Sequence, residues 1–122
     1  MAKSEERRHR RALVYDDTGL VALDTREVLL ELGFDEVSTA ACGDEALSCL
    51  NGQGLDWGVI DAGCPADDLA AVIAAFDAHA VPFVLVCSDP DGTDIPTQWK
   101  GRTYLARPYS KADLEALVVR RG

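Results

Sequence analysis

Two short apolar segments of the sequence end in carboxylates that could hold a cation. Asp16 and Asp17 directly follow the apolar residues 12–15, and Asp61 directly follows residues 57–60. Apolar runs of this length are typical of strands buried on both faces of a parallel sheet. If the two strands are neighbours, their ends lie roughly 5 Å apart. The three carboxylates would then share one crevice.

Such a crevice must compensate its negative charge. Two unit charges about 4 Å apart repel by roughly 4 kcal/mol at an effective dielectric constant of 20. The cluster therefore binds a proton or a cation, and carboxylate oxygens in a partly open site favour Mg²⁺. A cation there would let a carboxylate attack a phosphoryl donor, because it neutralises charge on the transferred oxygens. The alternative is that Asp16 and Asp17 only cap the following helix, but Asp61 favours a site.

Strand-like and helix-like segments alternate along the chain. Short apolar runs predict five strands, at residues 12–15, 36–40, 57–60, 83–87 and 103–106. Helical periodicity and end signals predict four helices, at residues 20–32, 44–50, 67–79 and from Ser110 onward. Parallel neighbouring strands need a right-handed crossover connection. The alternation therefore predicts an α/β fold with a parallel sheet, and ligands are expected at the carboxyl ends of its strands.

The segment 88–102 breaks this alternation because it holds two prolines and two glycines. We expect a mobile loop with at most one helical turn at residues 97–100, so that the fourth helix of the fold is short or disordered. Three aspartates in this segment form a turn rather than a calcium loop, because the glycine is misplaced for one. Trp99 is either a lid on the core or an anchor for a partner, and we favour the lid.

Five motifs in order resemble the receiver domains of bacterial response regulators. They are ALVYDD at 12–17, GDEAL at 43–47, WGVID at 57–61 with Pro65 four residues later, VPFVLVC at 81–87 and LARPY at 105–109. The VPFVLVC segment is particularly similar to single-domain receivers of alphaproteobacteria. The resemblance spans about residues 11–119. It implies a flavodoxin-like, doubly wound sheet of order 2-1-3-4-5, in a domain at residues 11–122 after a charged tail at residues 1–10.

The resemblance also implies a role for particular side chains. Asp61 would accept a phosphoryl group from the histidine of a kinase. Mg²⁺ would be held by Asp16, Asp17, Asp61 and the main-chain carbonyl of Gly63. Tyr104 matches the aromatic residue that moves inward when such domains are activated. Its alternative role is packing at the end of an outer strand.

Two positions depart from the receiver pattern. Cys87 stands where receivers carry Thr or Ser, and a thiol is a weak hydrogen-bond donor. Arg107 stands where they carry Lys, before a proline that is usually cis, and its planar guanidinium is not interchangeable with an ammonium. Both are our candidates for stabilising the phosphoryl group. They also leave an alternative open, in which the chain is a pseudo-receiver that binds proteins without being phosphorylated.

Composition narrows the class of partner. The 122 residues carry a formal net charge of −9, which argues against a nucleic-acid partner. The charged N-terminus lacks the apolar centre of a secretory signal, and no run approaches the roughly 18 apolar residues of a membrane span. We expect a cytoplasmic phosphoprotein that is a monomer or weak homodimer and not an enzyme. Its expected partners are a histidine kinase and, in a phosphorelay, a phosphotransfer protein.

The cysteines fit a reducing compartment. The sequence contains four of them and no C-x-x-C pair, so a zinc site is not expected. Cys64 and Cys87 border the acidic crevice. Neighbouring carboxylates disfavour a thiolate there, and we interpret both residues as inert thiols rather than redox sensors.

Overall fold

A computed structural model of the chain describes residues 9–52 and 54–121, with side chains up to residue 118. Its elements alternate as the sequence predicts. They are β1 (Arg11–Tyr15), α1 (Gly19–Glu31), β2 (Glu36–Ala40), α2 (Gly43–Gly52), β3 (Trp57–Asp61), α3 (Ala66–Ala78), β4 (Phe83–Cys87), a 3₁₀ helix (Thr97–Trp99), β5 (Tyr104–Ala106) and α4 (Lys111–Arg121). The predicted elements are all present, with ends that differ by one or two residues. The predicted tail lies outside the described residues except for His9 and Arg10.

The five strands form one parallel sheet of order β2-β1-β3-β4-β5, which confirms the predicted doubly wound α/β architecture. Every residue of β3 is buried, because helices cover both faces of the sheet. One apolar cluster contains Leu13, Tyr15, Ile60 and Leu85, and the other contains Val14 with its neighbours on the opposite face. Successive strand residues therefore supply two separate cores. No helix among the described residues is long and apolar enough to cross a membrane.

Helix ends follow local sequence signals. Gly33 adopts φ 108° directly after α1, and the N–H of Phe34 donates to the carbonyl of Leu29. This is the left-handed glycine stop that the sequence predicts. At the start of α4, the Ser110 hydroxyl accepts the N–H of Asp113 and the Asp113 carboxylate accepts the N–H of Ser110. The predicted cap at Ser110 is thus confirmed as a reciprocal pair.

The connection between β4 and β5 contains only the three-residue 3₁₀ helix, so the short fourth helix is confirmed. The aspartates of this connection accept hydrogen bonds from nearby main-chain N–H groups, as is typical of turns. Asp94 accepts the N–H groups of Ser88 and Asp89, and Asp89 accepts the N–H of Asp91. The Trp99 side chain is 8% exposed and belongs to the core cluster beside α3. The favoured interpretation of Trp99 as a lid is correct.

The helix α3 packs closely against β3 at Gly58. A Cβ atom added there would overlap with the ring of Phe76 from α3. We expect Gly58→Ala to lower the free energy of unfolding by about 1–3 kcal/mol, the usual cost of overpacking a core. Urea denaturation measures this change.

Gly19→Ala is the matched control, because a Cβ atom at Gly19 would have no neighbour within 4 Å. We expect it to be neutral or slightly stabilising. Equal midpoints for Gly58→Ala and the wild-type protein would show that α3 packs more loosely on β3 than the structure indicates.

Candidate functional site

The sheet topology brings the predicted carboxylates together. β1 and β3 are neighbours in parallel register, with Tyr15 paired to Ile60, so the residues that follow both strands lie at the same edge. Asp16 and Asp61 are 4% and 9% exposed, whereas Asp17 is exposed. The three carboxylates therefore lie at one edge of the sheet, at the ends of β1 and β3, as the sequence predicts.

Three side chains at this edge face one another closely enough to hold one cation. Carboxylate oxygens of Asp17 and Asp61 and the sulfur of Cys64 all lie within 4.8 Å of one another. Asp16 does not belong to this group. The two carboxylates are the hard oxygen ligands that Mg²⁺ prefers, while the thiol is not. The donor set therefore fits a magnesium ion through its carboxylates.

Asp16 is engaged by Arg107 instead. The Nη2 atom of Arg107 lies 2.9 Å from Oδ2 of Asp16, and its Nη1 atom lies 3.3 Å from Oδ1 of Asp61. One guanidinium therefore bridges two of the three carboxylates, which a planar group with several N–H donors does well. The main chain of Arg107 is fixed because its N–H donates to the carbonyl of Cys87, and the Arg107–Pro108 peptide bond is cis. The sequence predicted Arg107 only as a candidate for stabilising the phosphoryl group, a role that stays a prediction, and did not indicate this bridge.

The environment of Asp16 opposes its ionisation on balance. Burial raises the pKa of Asp16 most strongly, and the charge of Asp61 raises it further. A hydrogen bond from the N–H of Thr18 and the positive charge of Arg107 act in the opposite direction. The hydrogen bond from Thr18 also shows that Asp16 supports the turn before α1. The N-cap residue is Thr18 and α1 has no side-chain cap hydrogen bond, so the alternative that the aspartates cap this helix is not supported. The net direction means that Asp16 binds a proton more readily than an ordinary aspartate does.

The loop after β3 fixes the side chain of Asp61. The N–H of Gly63 donates to Oδ1 of Asp61 at 3.2 Å, and the N–H of Cys64 donates to the carbonyl of Asp61. A Cβ atom at Gly63 would lie 3.6 Å from both carboxylate oxygens. Gly63 is therefore next to the candidate acceptor, and the role of its carbonyl as a metal ligand stays a prediction.

Two other predicted residues lie at the same end of the sheet but make other contacts. The thiol of Cys87 is buried and donates to the carbonyl of Asp89 at 3.3 Å, so its recorded hydrogen bond does not involve Asp61. The hydroxyl of Tyr104 donates to the carbonyl of Pro90, and the Tyr104 side chain is 39% exposed. Their roles as phosphate ligand and switch aromatic stay predictions, and in this state Tyr104 lies outward against the β4–β5 loop.

Three features of the site were missed by sequence reasoning. The hydroxyl of Tyr15 is buried, and burial together with the neighbouring Cys64 raises its pKa. Tyr109 forms a hydrogen bond of 3.0 Å with the hydroxyl of Thr25. A cleft of about 220 Å³ lies between α1 and the segment after β5, lined by Val21, Asp24, Thr25, Val28, Arg107 and Tyr109. The helical spacing of the α1 residues was the available signal for this face.

Comparison with solved structures identifies the fold. CheY4, a chemotaxis protein of Vibrio cholerae, aligns with a TM-score of 0.76 at 21% identity over 93% of this chain and 99% of its own. SdrG of Pseudomonas melonis, in its BeF3-activated conformation, aligns with a TM-score of 0.74 at 21% identity, over 91% of this chain and 93% of its own. A third similar structure is the receiver domain of a Pseudomonas aeruginosa sensor histidine kinase, which has a magnesium ion in its active-site cleft. It aligns with a TM-score of 0.76 at 21% identity, over 92% of this chain and 96% of its own. No protein-family model matches the sequence.

These structures define the class of fold. The chain has the fold of CheY-like response-regulator receiver domains, with the same strand order, and the resemblance seen in the sequence motifs is confirmed at that level. The acidic pocket lies at the carboxyl ends of the central strands, where such folds bind their ligands.

The four cysteines give a direct test of the geometry around this pocket. Burial and the charge of Asp61 raise the pKa of Cys64 to about 11, and burial raises that of Cys87, whereas Cys42 is exposed. At pH 8 only about one Cys64 thiol in a thousand is ionised. We expect iodoacetamide to modify Cys42 of the folded protein and to spare Cys64 and Cys87.

Peptide mapping by mass spectrometry after timed alkylation measures this order, and the same reaction in urea provides the control in which all four thiols react. Rapid native modification of Cys64 or Cys87 would contradict the buried placement of these two thiols.

Proposed function

We propose that this chain is a response-regulator receiver domain that accepts a phosphoryl group on Asp61. The observation that carries the proposal is the placement of Asp61. It lies at the end of the central strand β3, its carboxylate accepts the N–H of Gly63, and it faces Asp17 on one side and Arg107 on the other. A carboxylate beside a guanidinium and a candidate metal ligand is an arrangement suited to phosphoryl transfer.

The proposed reaction is a transfer between two side chains. A carboxylate oxygen of Asp61 attacks the phosphorus of a phosphohistidine, and an acyl-phosphate O–P bond forms as the N–P bond breaks. The histidine nitrogen keeps the electron pair of the broken bond and takes a proton from solvent. The guanidinium of Arg107 lies 3.3 Å from Asp61 before the transfer. After the transfer its N–H groups would donate to the oxygens of the phosphoryl group, which add negative charge to the pocket.

A divalent cation completes this site in the proposal. Asp17 and Asp61 would hold Mg²⁺, with Asp16 and the carbonyl of Gly63 as the further ligands that the resemblance implies. When bound, the ion neutralises negative charge on the transferred oxygens. The similar Pseudomonas aeruginosa domain has a magnesium ion in its active-site cleft, which supports a cation at the corresponding end of this fold.

The proposed partners are proteins. Phosphate on Asp61 would signal by changing the affinity of the domain surface for a partner, and each tenfold change corresponds to about 1.4 kcal/mol. A histidine kinase would supply the phosphoryl group, and a phosphotransfer protein would receive or supply it in a relay. The net charge of −9 supports a protein partner over a nucleic acid.

A second candidate function is a pseudo-receiver that binds its partner without phosphorylation. Two observations favour it. The guanidinium of Arg107 is paired with both Asp16 and Asp61, and the thiol of Cys87 donates to Asp89 rather than toward the acceptor. Both features would stabilise the domain in a single state.

Intact-mass measurement separates the two functions. We expect incubation with acetyl phosphate and Mg²⁺ to add one phosphoryl group to the wild-type protein and none to Asp61→Asn, because the amide is not a competent nucleophile. Asp77→Asn is the matched control, since Asp77 is half-exposed and pairs with Arg102 away from the pocket. An adduct on Asp61→Asn, or none on the wild-type protein under any donor, would reject phosphorylation of Asp61.

A second test restores the residues of the receiver pattern at the two positions that depart from it. In Cys87→Thr combined with Arg107→Lys, a hydroxyl and an ammonium would replace a weak donor and a bridging guanidinium. We expect the double variant to hold its phosphoryl adduct longer or to bind its partner with a larger phosphate-dependent change.

The adduct lifetime is measured by intact mass after the donor is removed, and partner affinity by titration. The two single variants serve as controls that separate the hydroxyl from the ammonium. An unchanged lifetime and an unchanged affinity would show that Cys87 and Arg107 do not limit the switch.

A further inference from the structure

Arg107 contacts two different parts of the molecule. Its guanidinium is paired with Asp16 and Asp61 in the acidic pocket. The same residue also lines the cleft of about 220 Å³ beside α1. Among the side chains that the structure describes, Arg107 is the only cation in an ion pair with Asp16 or Asp61.

The ion pair and a divalent cation would use the same carboxylate. Arg107 takes Oδ1 of Asp61, and Asp61 also belongs to the group of three side chains that could hold one ion with Asp17. A divalent cation at Asp61 would lie next to the guanidinium, and the two positive charges would repel. Binding of the cation and the Arg107 bridge therefore oppose each other.

The cleft beside α1 offers the guanidinium a second position. Asp24 on α1 lines this cleft together with Arg107, so it supplies a carboxylate of opposite charge there. The volume of about 220 Å³ exceeds the roughly 30 Å³ that one water molecule takes in the liquid several times over. The Arg107 side chain is already 31% exposed, so its movement does not require the core to open.

We propose that Arg107 is a two-position switch that controls loading of the pocket with a divalent cation. In the position described here the guanidinium bridges Asp16 and Asp61 and opposes the cation. In the second position it lies in the cleft against Asp24, and Asp16 and Asp61 are released to the cation. This inference rests on the proposed function, since it concerns the cation that phosphoryl transfer to Asp61 would use.

The second position also reaches the surface of α1. Tyr109 lies two residues after Arg107 and is hydrogen-bonded to Thr25 of α1 at 3.0 Å, and both residues line the cleft. Occupation of the cleft by the guanidinium would change this face of α1. The switch thus links cation loading to a surface that differs from the outward side chain of Tyr104.

Calorimetric titration with MgCl2 tests the switch on the full chain. We expect Arg107→Met to bind Mg²⁺ about tenfold tighter than the wild-type protein, because the competing charge is gone. We expect Asp24→Asn to bind Mg²⁺ about two- to fivefold more weakly than the wild-type protein. The factor is small because a half-exposed ion pair between Arg107 and Asp24 would stabilise the second position only modestly. The controls are Arg102→Met, whose arginine pairs with Asp77 away from the pocket, and Glu27→Gln, whose exposed carboxylate lies on α1.

The double variant separates the switch from simple charge effects. If Asp24 acts through Arg107, Asp24→Asn has no further effect on Mg²⁺ affinity in the Arg107→Met background. A loss of the same size in both backgrounds, or a loss equal to that of Glu27→Gln, would overturn the inference. If Arg107→Met does not fold, Arg107→Lys replaces it with an expected intermediate affinity, since one ammonium is a compact charge without the fork that bridges two carboxylates.

Failure of the proposed function would look different. Equal Mg²⁺ affinity in the wild-type protein, Arg107→Met and Asp24→Asn would refute the switch and leave the metal site in place. Absence of Mg²⁺ binding in all variants, measured at millimolar MgCl2 and repeated with Mn²⁺, would refute the switch together with the metal site on which it depends.

Discussion

Three carboxylates at one edge of a parallel sheet repel one another, and a positive charge in contact with them must compensate this repulsion. In the structure that charge is Arg107, whose guanidinium bridges Asp16 and Asp61. The compensation is partial, because three carboxylates and one guanidinium still leave two formal negative charges. Burial also raises the pKa of Asp16. The pocket therefore retains negative charge that a further cation can compensate, and the proposed role of Asp61 as phosphoryl acceptor depends on this feature.

The buried sheet maintains this unfavourable cluster. β1 and β3 lie in the middle of the sheet with apolar cores on both faces, so their ends cannot separate without breaking the register between Tyr15 and Ile60. The loop after β3 adds a hydrogen bond from Gly63 to Asp61. The same sheet topology therefore both stabilises the core and holds the repelling carboxylates together. Such local conflicts are typical of functional sites.

Much of the fold could be predicted because its signals are local. Apolar runs of four or five residues predicted the strands, and Gly33 and Ser110 marked helix ends that the structure confirms. The convergence of Asp16 and Asp61 followed from taking the first and third strands as neighbours, which the resemblance to receiver domains implies and the structure confirms. The bridge of Arg107 could not be predicted, because it joins residues 91 and 46 positions apart and depends on side-chain conformation. The outward position of Tyr104 and the bond of Cys87 to Asp89 depend on the β4–β5 loop, whose sequence signals only turns.

The most direct measurement is chemical trapping of the modified residue. An acyl phosphate on an aspartate is reduced by borohydride to homoserine, and peptide sequencing then locates the changed position. After treatment with acetyl phosphate and Mg²⁺, we expect homoserine at position 61 and at no other aspartate. Homoserine at a different position, or an unchanged Asp61 in protein that carries a phosphoryl adduct, would contradict it.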